Sequence, residues 1–435
     1  MKFIREGHQY SNDELADLFK GDRSHIVASL FTQLRNGRYS TDFVGFVSSR
    51  QDVYFSAPKV NVDAPDGRAS GNLLRNVLEH FMTRIPNTNS LEVDQARRLE
   101  FKDESLVREI EIYLSLANFY MINGLYIPEA RTENRTYDGR INWSKTLART
   151  LPLHCDEGSL YTDPINHSYT RKPDEVSQIF ASVLAHLDSK YGGLFIEPLA
   201  QRMKADVLII SEAALLANRT RWSALLMRAM QGTARTDHLS MFLALRQFFE
   251  DHPNGNGSQG PRLLGTFSFH SVWEDALKFV FDDQFEDMRH QLAQPIWHFL
   301  DARGTTKLTG GKQRPDVLLE TKDKILVIDA KYYYPLPTER CGWTDLVKQL
   351  FYSESIVGKA KEQVRNVLVF PASLPDKIRV RGKVLLEHHG SAVKKFSEIL
   401  VVEVDANLIL RAYAKRVRLP LISNQLREIC YPNKS

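Results

Sequence analysis

The sequence predicts an α/β protein with a mixed sheet in its C-terminal part and a largely helical region ahead of it. Three observations carry that prediction. The stretch "RPDVLLETKDKILVIDAKYYYP" (314–335) reads as a hairpin: a β-branched and aromatic run, "KILVIDAKYY", follows the polar turn "ETKDK". A helical pattern, "GWTDLVKQLFYSESIVGKA", then leads into the buried-strand runs "RNVLVFPA" and "SEILVVEVDA". Upstream, long segments repeat their apolar residues at helical spacing. Helix, β-meander, helix and strand in that order describe a mixed sheet flanked by helices.

Taken in order, the chain divides into four segments. Residues 1–65 combine a helical pattern, "SNDELADLFKGDRSHIVASLFTQL", capped by Ser11 or Asn12, with a strand pair. The pair is "FVGFVSS" and "DVYFSAPKV", joined through Arg50 and Gln51. Residues 66–250 are mostly helical, as in "GNLLRNVLEHFMTRI", "DEVSQIFASVLAHLDSKY" and "DVLIISEAALLANRTRWSALLMRAMQ". The irregular "NGLYIPEARTENRTYDGRINWSKT" interrupts them. "DHPNGNGSQGPR" (251–262), rich in Gly, Asn and Pro, reads as a linker. Residues 263–435 open with the helix "FHSVWEDALKFVFDDQFEDMRHQL", continue through the hairpin and the strands, and end in a basic tail.

Composition narrows the function classes. The 435 residues are 43% hydrophobic and 25% charged, ordinary for a globular chain able to build two or three cores. Lys plus Arg number 57 against 53 for Asp plus Glu, a net charge of +4, which permits nucleic-acid binding without arguing for it. Cys155, Cys341 and Cys430 lie far apart with no CxxC pair, which speaks against a disulfide framework or a zinc knuckle. The first residues hold no apolar signal core and nowhere do 18 apolar residues run together, so a cytoplasmic chain without membrane contact is expected. "LTGGKQRP" lacks the spacing and the Ser or Thr of a phosphate-binding loop, so no nucleotide is expected on this chain. The histidines of "EHHG" lack a third spaced ligand.

The hairpin holds the chemistry. Side chains alternate across a strand, so Asp329 and Lys331 share a face while Ile328 and Ala330 take the other. A turn centred on Lys322 and Asp323 sets Asp316 opposite Asp329. Two carboxylates and an ammonium on one patch are costly unless a cation or a substrate offsets the charge.

Pro315-Asp316 followed by Asp329-Ala330-Lys331 resembles the PD-(D/E)xK nuclease signature, with Asp in the acidic place of the triplet. Together with "DLVKQLFY" it resembles the LlaJI-type restriction endonuclease subunit, which is related to McrC, the nuclease partner of the GTPase McrB. The catalytic resemblance covers roughly residues 265–410; "FVGFVSS…VYFSAPKV" and "DGRINWSKT" echo that family more faintly. It implies a PD-(D/E)xK core using Mg²⁺, with Mn²⁺ as a substitute, to cut double-stranded DNA. Asp316, Asp329, the Ala330 carbonyl and a helix glutamate would hold the cation, while Lys331 orients or deprotonates water and stabilises the pentavalent state. Glu274 is the first choice for that glutamate, anchored by Trp273 and Leu277, with Glu286 and Asp283 as rivals. Gln349 and Tyr352 resemble the glutamine–tyrosine element of RecB-like and McrC-like nucleases, which lines the site and contacts substrate.

The resemblance also implies a partner, a McrB-like AAA+ GTPase that recognises DNA and recruits this subunit to restrict foreign DNA. Residues 1–260 would dock on it, and removing residues 1–65 would leave weak, unspecific nicking by the C-terminal domain. The basic residues Lys377, Arg379, Arg381, Lys383, Lys394 and Lys395 either form a solvated face or track a phosphate backbone. Two other readings fit the same residues: a non-catalytic adaptor that stimulates an NTPase ring, and a RecB-like repair exonuclease.

Overall fold

The computed structural model describes residues 2–19, 23–49, 52–59, 71–83, 100–192, 199, 207–251, 261–301, 304–310, 313–321, 324–333, 340–393 and 395–432. Most of the proposed linker, the hairpin turn at Lys322 and Asp323, and Lys394 fall outside them. The chain forms two compact units, Met1–Leu106 with Gly260–Ser435, and Val107–Gln259. This division departs from the four segments read off the sequence, because the first hundred residues fold together with the C-terminal part.

In the first unit one five-stranded sheet joins both ends of the chain. Strands β1 (Lys2–Arg5), β2 (Val44–Ser48), β3 (Val53–Ala57), β4 (Glu100–Lys102) and β5 (Arg262–Thr266) lie in the order β1-β3-β2-β5-β4. The strand pair expected near residues 43–60 is present as β2 and β3, antiparallel, with β1 parallel to β3. Arg262, expected in the linker, instead starts β5 and pairs with Ser48. Gly45 and Gly265 face each other in that pairing so closely that a side chain on Gly265 would lie 2.2 Å from the Val44 carbonyl oxygen. Only glycine permits such an approach.

Helices α1 (Asn12–Phe19) and α2 (Arg23–Leu30) cover one face of this sheet, where the sequence read a single helical pattern. Ser11 caps α1 reciprocally: its hydroxyl accepts the Glu14 N–H, and its own N–H donates to the Glu14 carboxylate. The core beneath holds Ile4, Leu15, Phe19, Phe43, Val47 and Tyr54, with Leu263 and Phe267 packed against it.

The second sheet of this unit contains β6 (Val317–Thr321), β7 (Lys324–Ala330), β8 (Val364–Ala372), β9 (Ile378–Val384) and β10 (Ile399–Asp405) in the order β6-β7-β8-β10-β9. The β7/β8 and β8/β10 pairs are parallel and the outer pairs antiparallel, a mixed sheet as expected. Ile325, Leu326, Val327 and Ile328 are all buried, because β7 is covered on both faces. Helix α4 (Phe269–Phe281), its number following α3 (Gly71–Thr83), buries Phe269, Val272, Trp273, Ala276, Leu277 and Val280 at a spacing of three and four. It ends at Asp282, which takes a left-handed φ of 62°, rather than running on to residue 292. The C-terminal "tail" is two helices, α6 (Ala406–Ala414) and α7 (Pro420–Cys430), after α5 (Trp343–Glu354). His80 of α3 stacks on Tyr413 of α6, with ring centroids 5.2 Å apart.

The second unit is mainly helical, with long helices Glu175–Tyr191, Arg219–Gln231 and Thr236–Glu250. Its core contains a Tyr113 hydroxyl donating to Asp188 at 2.8 Å and a buried Lys190–Glu109 ion pair at 3.2 Å. The stretch expected to be irregular instead supplies a strand, Glu129–Arg135, paired with Ile165–Arg171, and a short helix capped by Asn142. Among the described residues no helix is long and apolar enough to cross a membrane, and the three cysteines are free.

Candidate active site

The site lies where β6 and β7 begin to diverge. The hairpin runs from Thr321 opposite Lys324 to Val317 opposite Ile328. One step further this register sets Asp316 across from Asp329, as the sequence predicts. Asp316 completes the ladder with its side chain: its Oδ2 accepts the Ala330 N–H at 2.8 Å. Asp329 Oδ2 is buried, and its one close partner among the described residues is the Lys331 ammonium, 2.7 Å away. The Lys331 N–H bonds the Val369 carbonyl, so β8 fixes the backbone from which this ammonium extends.

A residue that sequence reasoning missed completes the ion cluster. Asp345 Oδ1, in the first turn of α5, stands 3.2 Å from Lys331 Nζ. Asp345, Gln349 and Tyr352 are spaced four and then three apart, which puts them on one face of the helix. That spacing was the available signal, but an acid early in a helix also serves the helix dipole, so the spacing alone did not single it out.

Electrostatics bind the acids into one system. Burial, reinforced by the Asp316 carboxylate, lifts the Asp329 carboxyl to about 6. Glu274 on α4 is lifted to about 7, first by burial and then by Asp316, with a smaller push from Asp329. Asp316 is raised mainly by burial. Burial works against the Lys331 charge, yet Asp329 and Asp345 outweigh it and push this ammonium up to about 12. Lys331 therefore remains a cation at neutral pH, which suits it to orienting water and stabilising negative charge, not to removing a proton.

The rivals of Glu274 have other work. Asp283 accepts the Leu318 N–H at 2.8 Å and the Phe285 N–H at 3.1 Å, tying the helix end to β6. Glu286 is exposed and pairs with Arg289 at 3.0 Å. Trp273 and Leu277, fully buried, anchor α4 as expected.

Gln349 differs from the expectation of a substrate-contacting residue. It is 0% exposed, and its Nε2 donates to the Val327 carbonyl of β7 at 2.7 Å. A side chain spent on the sheet backbone fastens α5 in place and is out of reach of a substrate. Tyr352 is half-buried against Leu318 and its neighbours, its hydroxyl accepts the Arg314 N–H, and its proton is held more tightly by burial and by Asp316 and Asp329. The basic run is also spoken for in part: Arg379 and Arg381 lie 2.5 and 3.8 Å from Glu403, and Lys383 2.9 Å from Glu398. That favours a paired, solvated face over a phosphate track.

Tyr332, next to Lys331, ties the site to the first sheet. Its hydroxyl donates to Glu6 at 2.5 Å, Glu6 also accepts the Lys59 N–H at 3.1 Å, and the Lys59 ammonium lies 4.9 Å from the Tyr332 ring centre.

Among the described residues no three His, Cys, Asp or Glu side chains converge as a complete ligand set. The donor chemistry nonetheless fits Mg²⁺, which takes one or two carboxylates and keeps several waters. Asp316 and Asp329 are hard oxygen donors side by side, and the buried Asp329 oxygen has lone pairs to spare.

The family model for the LlaJI restriction endonuclease matches residues 43–407. The chain belongs to the LlaJI restriction endonuclease family. The type II restriction enzyme BsuMI component YdjA of Bacillus subtilis (strain 168) is similar to it, 23% identical over 396 residues, 86% of this chain and 81% of that protein. Among solved structures, a chain from the tetradecameric assembly of Thermococcus gammatolerans McrB AAA+ hexamers with bound McrC is similar at 14% identity and a TM-score of 0.35, covering 98% of this chain and 99% of that one. A chain of the cryo-EM McrBC complex from the same organism gives 13% identity and a TM-score of 0.24 over 57% of this chain and 79% of that one. At such scores these two structural likenesses are loose.

For this family member the raised acids set a pH dependence. Glu274 moves from 4.5 to about 7 and Asp329 from 3.8 to about 6 on folding, so the folded chain binds protons more readily than the unfolded one. Their contribution to stability is greatest at low pH and is lost as pH rises through about 6 to 7. A cation held by the ionised acids would restore it. Thermal unfolding with and without Mg²⁺ is expected to give a larger metal-induced rise in melting temperature at pH 8 than at pH 6. Equal shifts at the two pH values would separate these carboxyls from metal binding.

Proposed function

We propose that this chain is the metal-dependent DNA endonuclease subunit of an NTP-dependent restriction system, with a PD-(D/E)xK core, hydrolysing phosphodiester bonds of double-stranded DNA in the cytoplasm. The observation that carries the reading is the facing pair Asp316 and Asp329, with the Lys331 cation held between Asp329 and Asp345. Membership of a restriction endonuclease family supports it.

When bound, Mg²⁺ would neutralise charge on the scissile phosphate and acidify a water. Asp316 and Asp329 would hold it, with the Ala330 carbonyl as a further oxygen and Glu274 acting through water. Lys331 stays protonated, donates to the attacking water or a phosphate oxygen, and stabilises the charge that grows there. Asp345, 3.2 Å from Lys331, would keep the ammonium in place were Asp329 to hold the cation. Tyr352 and Arg314 border the site on its helix side.

The partner in this reading is a McrB-like AAA+ GTPase, since the sequence contains no phosphate-binding loop of its own. Reconstitution tests it: the purified chain, a McrB-like AAA+ GTPase, supercoiled DNA, Mg²⁺ and GTP. Cleavage is expected only with all components present, and chelation by EDTA should stop it. Robust sequence-specific cutting by the chain alone without any NTP would replace this reading with a stand-alone enzyme. No cutting by any combination would favour a non-catalytic adaptor.

A further inference from the structure

Between α4 and the catalytic hairpin, Ile296–Asp301 and Gly304–Thr309 form a separate two-stranded antiparallel ribbon. Trp297 pairs with Leu308 and Phe299 with Thr306, so strand alternation puts Trp297, Phe299 and Leu308 on one face. All three are exposed, at 58%, 49% and 55%, a large apolar surface for a two-stranded ribbon. The Trp297 and Phe299 rings are parallel within 8°, with centroids 6.1 Å apart. On the other face His298 pairs with Lys307, and no described acid forms an ion pair with Lys307.

The foot of this ribbon is fastened to the candidate site. The Gly310 N–H donates to the Pro295 carbonyl at 2.8 Å, and Gly310 lies so close to Trp297 that any side chain there would strike the indole. Gln313 donates to the Ala293 carbonyl at 2.6 Å and accepts the Ser355 hydroxyl at 2.7 Å. Ser355 closes α5, the helix that carries Asp345 and Tyr352. Arg314, exposed, comes next and bonds Tyr352 through its N–H.

We infer that this ribbon enters a groove of duplex DNA beside the scissile phosphate, the stacked Trp297 and Phe299 meeting the bases and Lys307 the backbone. The inference rests on the proposed nuclease function, which brings a duplex to Asp316 and Asp329. A major groove about 12 Å wide admits a two-stranded ribbon. From Ile296 to Arg314 the sequence carries Arg303, Lys307, Lys312 and Arg314 against a single acid, Asp301, a balance that suits a polyanion better than a basic protein partner. Apolar and aromatic side chains on such ribbons contact thymine methyls or wedge between base steps.

The test is a fluorescence-anisotropy titration of full-length chain into a short labelled duplex, in EDTA to prevent cutting and at several salt concentrations. Jointly changing Trp297→Ala and Phe299→Ala is expected to weaken duplex binding at least about tenfold, with unchanged thermal unfolding, and Trp297→Tyr alone to retain most of the affinity. Lys307→Ala should reduce the slope of log affinity against log salt by about one. Wild-type affinity in the double variant overturns the assignment. So does loss of self-association in sedimentation with DNA affinity intact, which would make the ribbon a protein interface. A wild-type chain that binds no duplex at any salt would sink the nuclease reading itself, and this inference with it.

Discussion

Asp329→Ala is expected to cut DNA at least about a thousandfold more slowly than the wild type while folding at least as stably. The two halves of that outcome have separate causes. Catalysis loses one of two facing carboxylates and the partner that holds Lys331 at 2.7 Å, leaving the ammonium to Asp345 at 3.2 Å. Stability loses little, because the Asp329 carboxyl, raised to about 6 chiefly by burial, resists ionisation where it lies. Lys331 keeps Asp345 at 3.2 Å, so its ammonium is not left buried and unpaired, the case in which losing one partner is strongly destabilising. Asp316→Ala should behave differently: it loses the bond from the Ala330 N–H and so costs about 1 kcal/mol besides activity. Residues acting as a unit do not lose activity additively, so the double variant should cut little worse than either single one. Nicking of supercoiled plasmid with the partner present, alongside calorimetric unfolding of each variant, separates these effects. Wild-type cutting by Asp329→Ala would end the nuclease assignment.

The local part of this site was legible in the sequence. Period-two alternation and a polar turn suffice to set Asp316 against Asp329, since a hairpin register follows from where its turn falls. The apolar spacing of α4, with Trp273 and Leu277 inward, follows from its amphipathic pattern. What could not be read is what depends on distant partners. Gln349 and Tyr352 share a helix face, but which of them turns to the sheet depends on how α5 packs, and Gln349 took the Val327 carbonyl. The helices α6 and α7 were hidden because their Arg and Lys residues resemble a solvated tail. Their apolar residues nonetheless repeat at helical spacing, with Ile409, Leu410, Tyr413, Ile422 and Leu426 buried. The exposed ribbon at 296–309 has mixed alternation and no tight-turn signature, so nothing local marked it.

The longest-range feature yields the largest expected effect on folding. The resemblance implies that residues 1–65 can be removed without loss of the nuclease, whereas Met1–Leu106 and Gly260–Ser435 form one compact unit. Deleting residues 1–65 removes β1, β2 and β3, three of the five strands in the first sheet. It strips β5 of the partner that pairs with it from Arg262 to Thr266, leaving an unpaired edge. Leu263 and Phe267 lose the core against which they pack, and each such apolar side chain returned to water costs about 1.5–3 kcal/mol. Glu6 leaves too, so the buried Tyr332 hydroxyl next to Lys331 loses its acceptor, a further penalty of about 1–3 kcal/mol. These losses are comparable with the whole net stability of a domain, about 5–15 kcal/mol. The truncated chain is therefore expected to be insoluble or to lack a cooperative unfolding transition, and to show no residual nicking. Glu6→Gln supplies the contrast: the amide oxygen still accepts from Tyr332, so the fold should survive with a slightly altered melting temperature. Circular dichroism melts of both variants, with plasmid nicking in Mg²⁺, decide the matter. A truncated chain that melts cooperatively and nicks DNA would make the first sheet a dispensable attachment, whereas its collapse ties the geometry at Lys331 to strands more than 250 residues away in sequence.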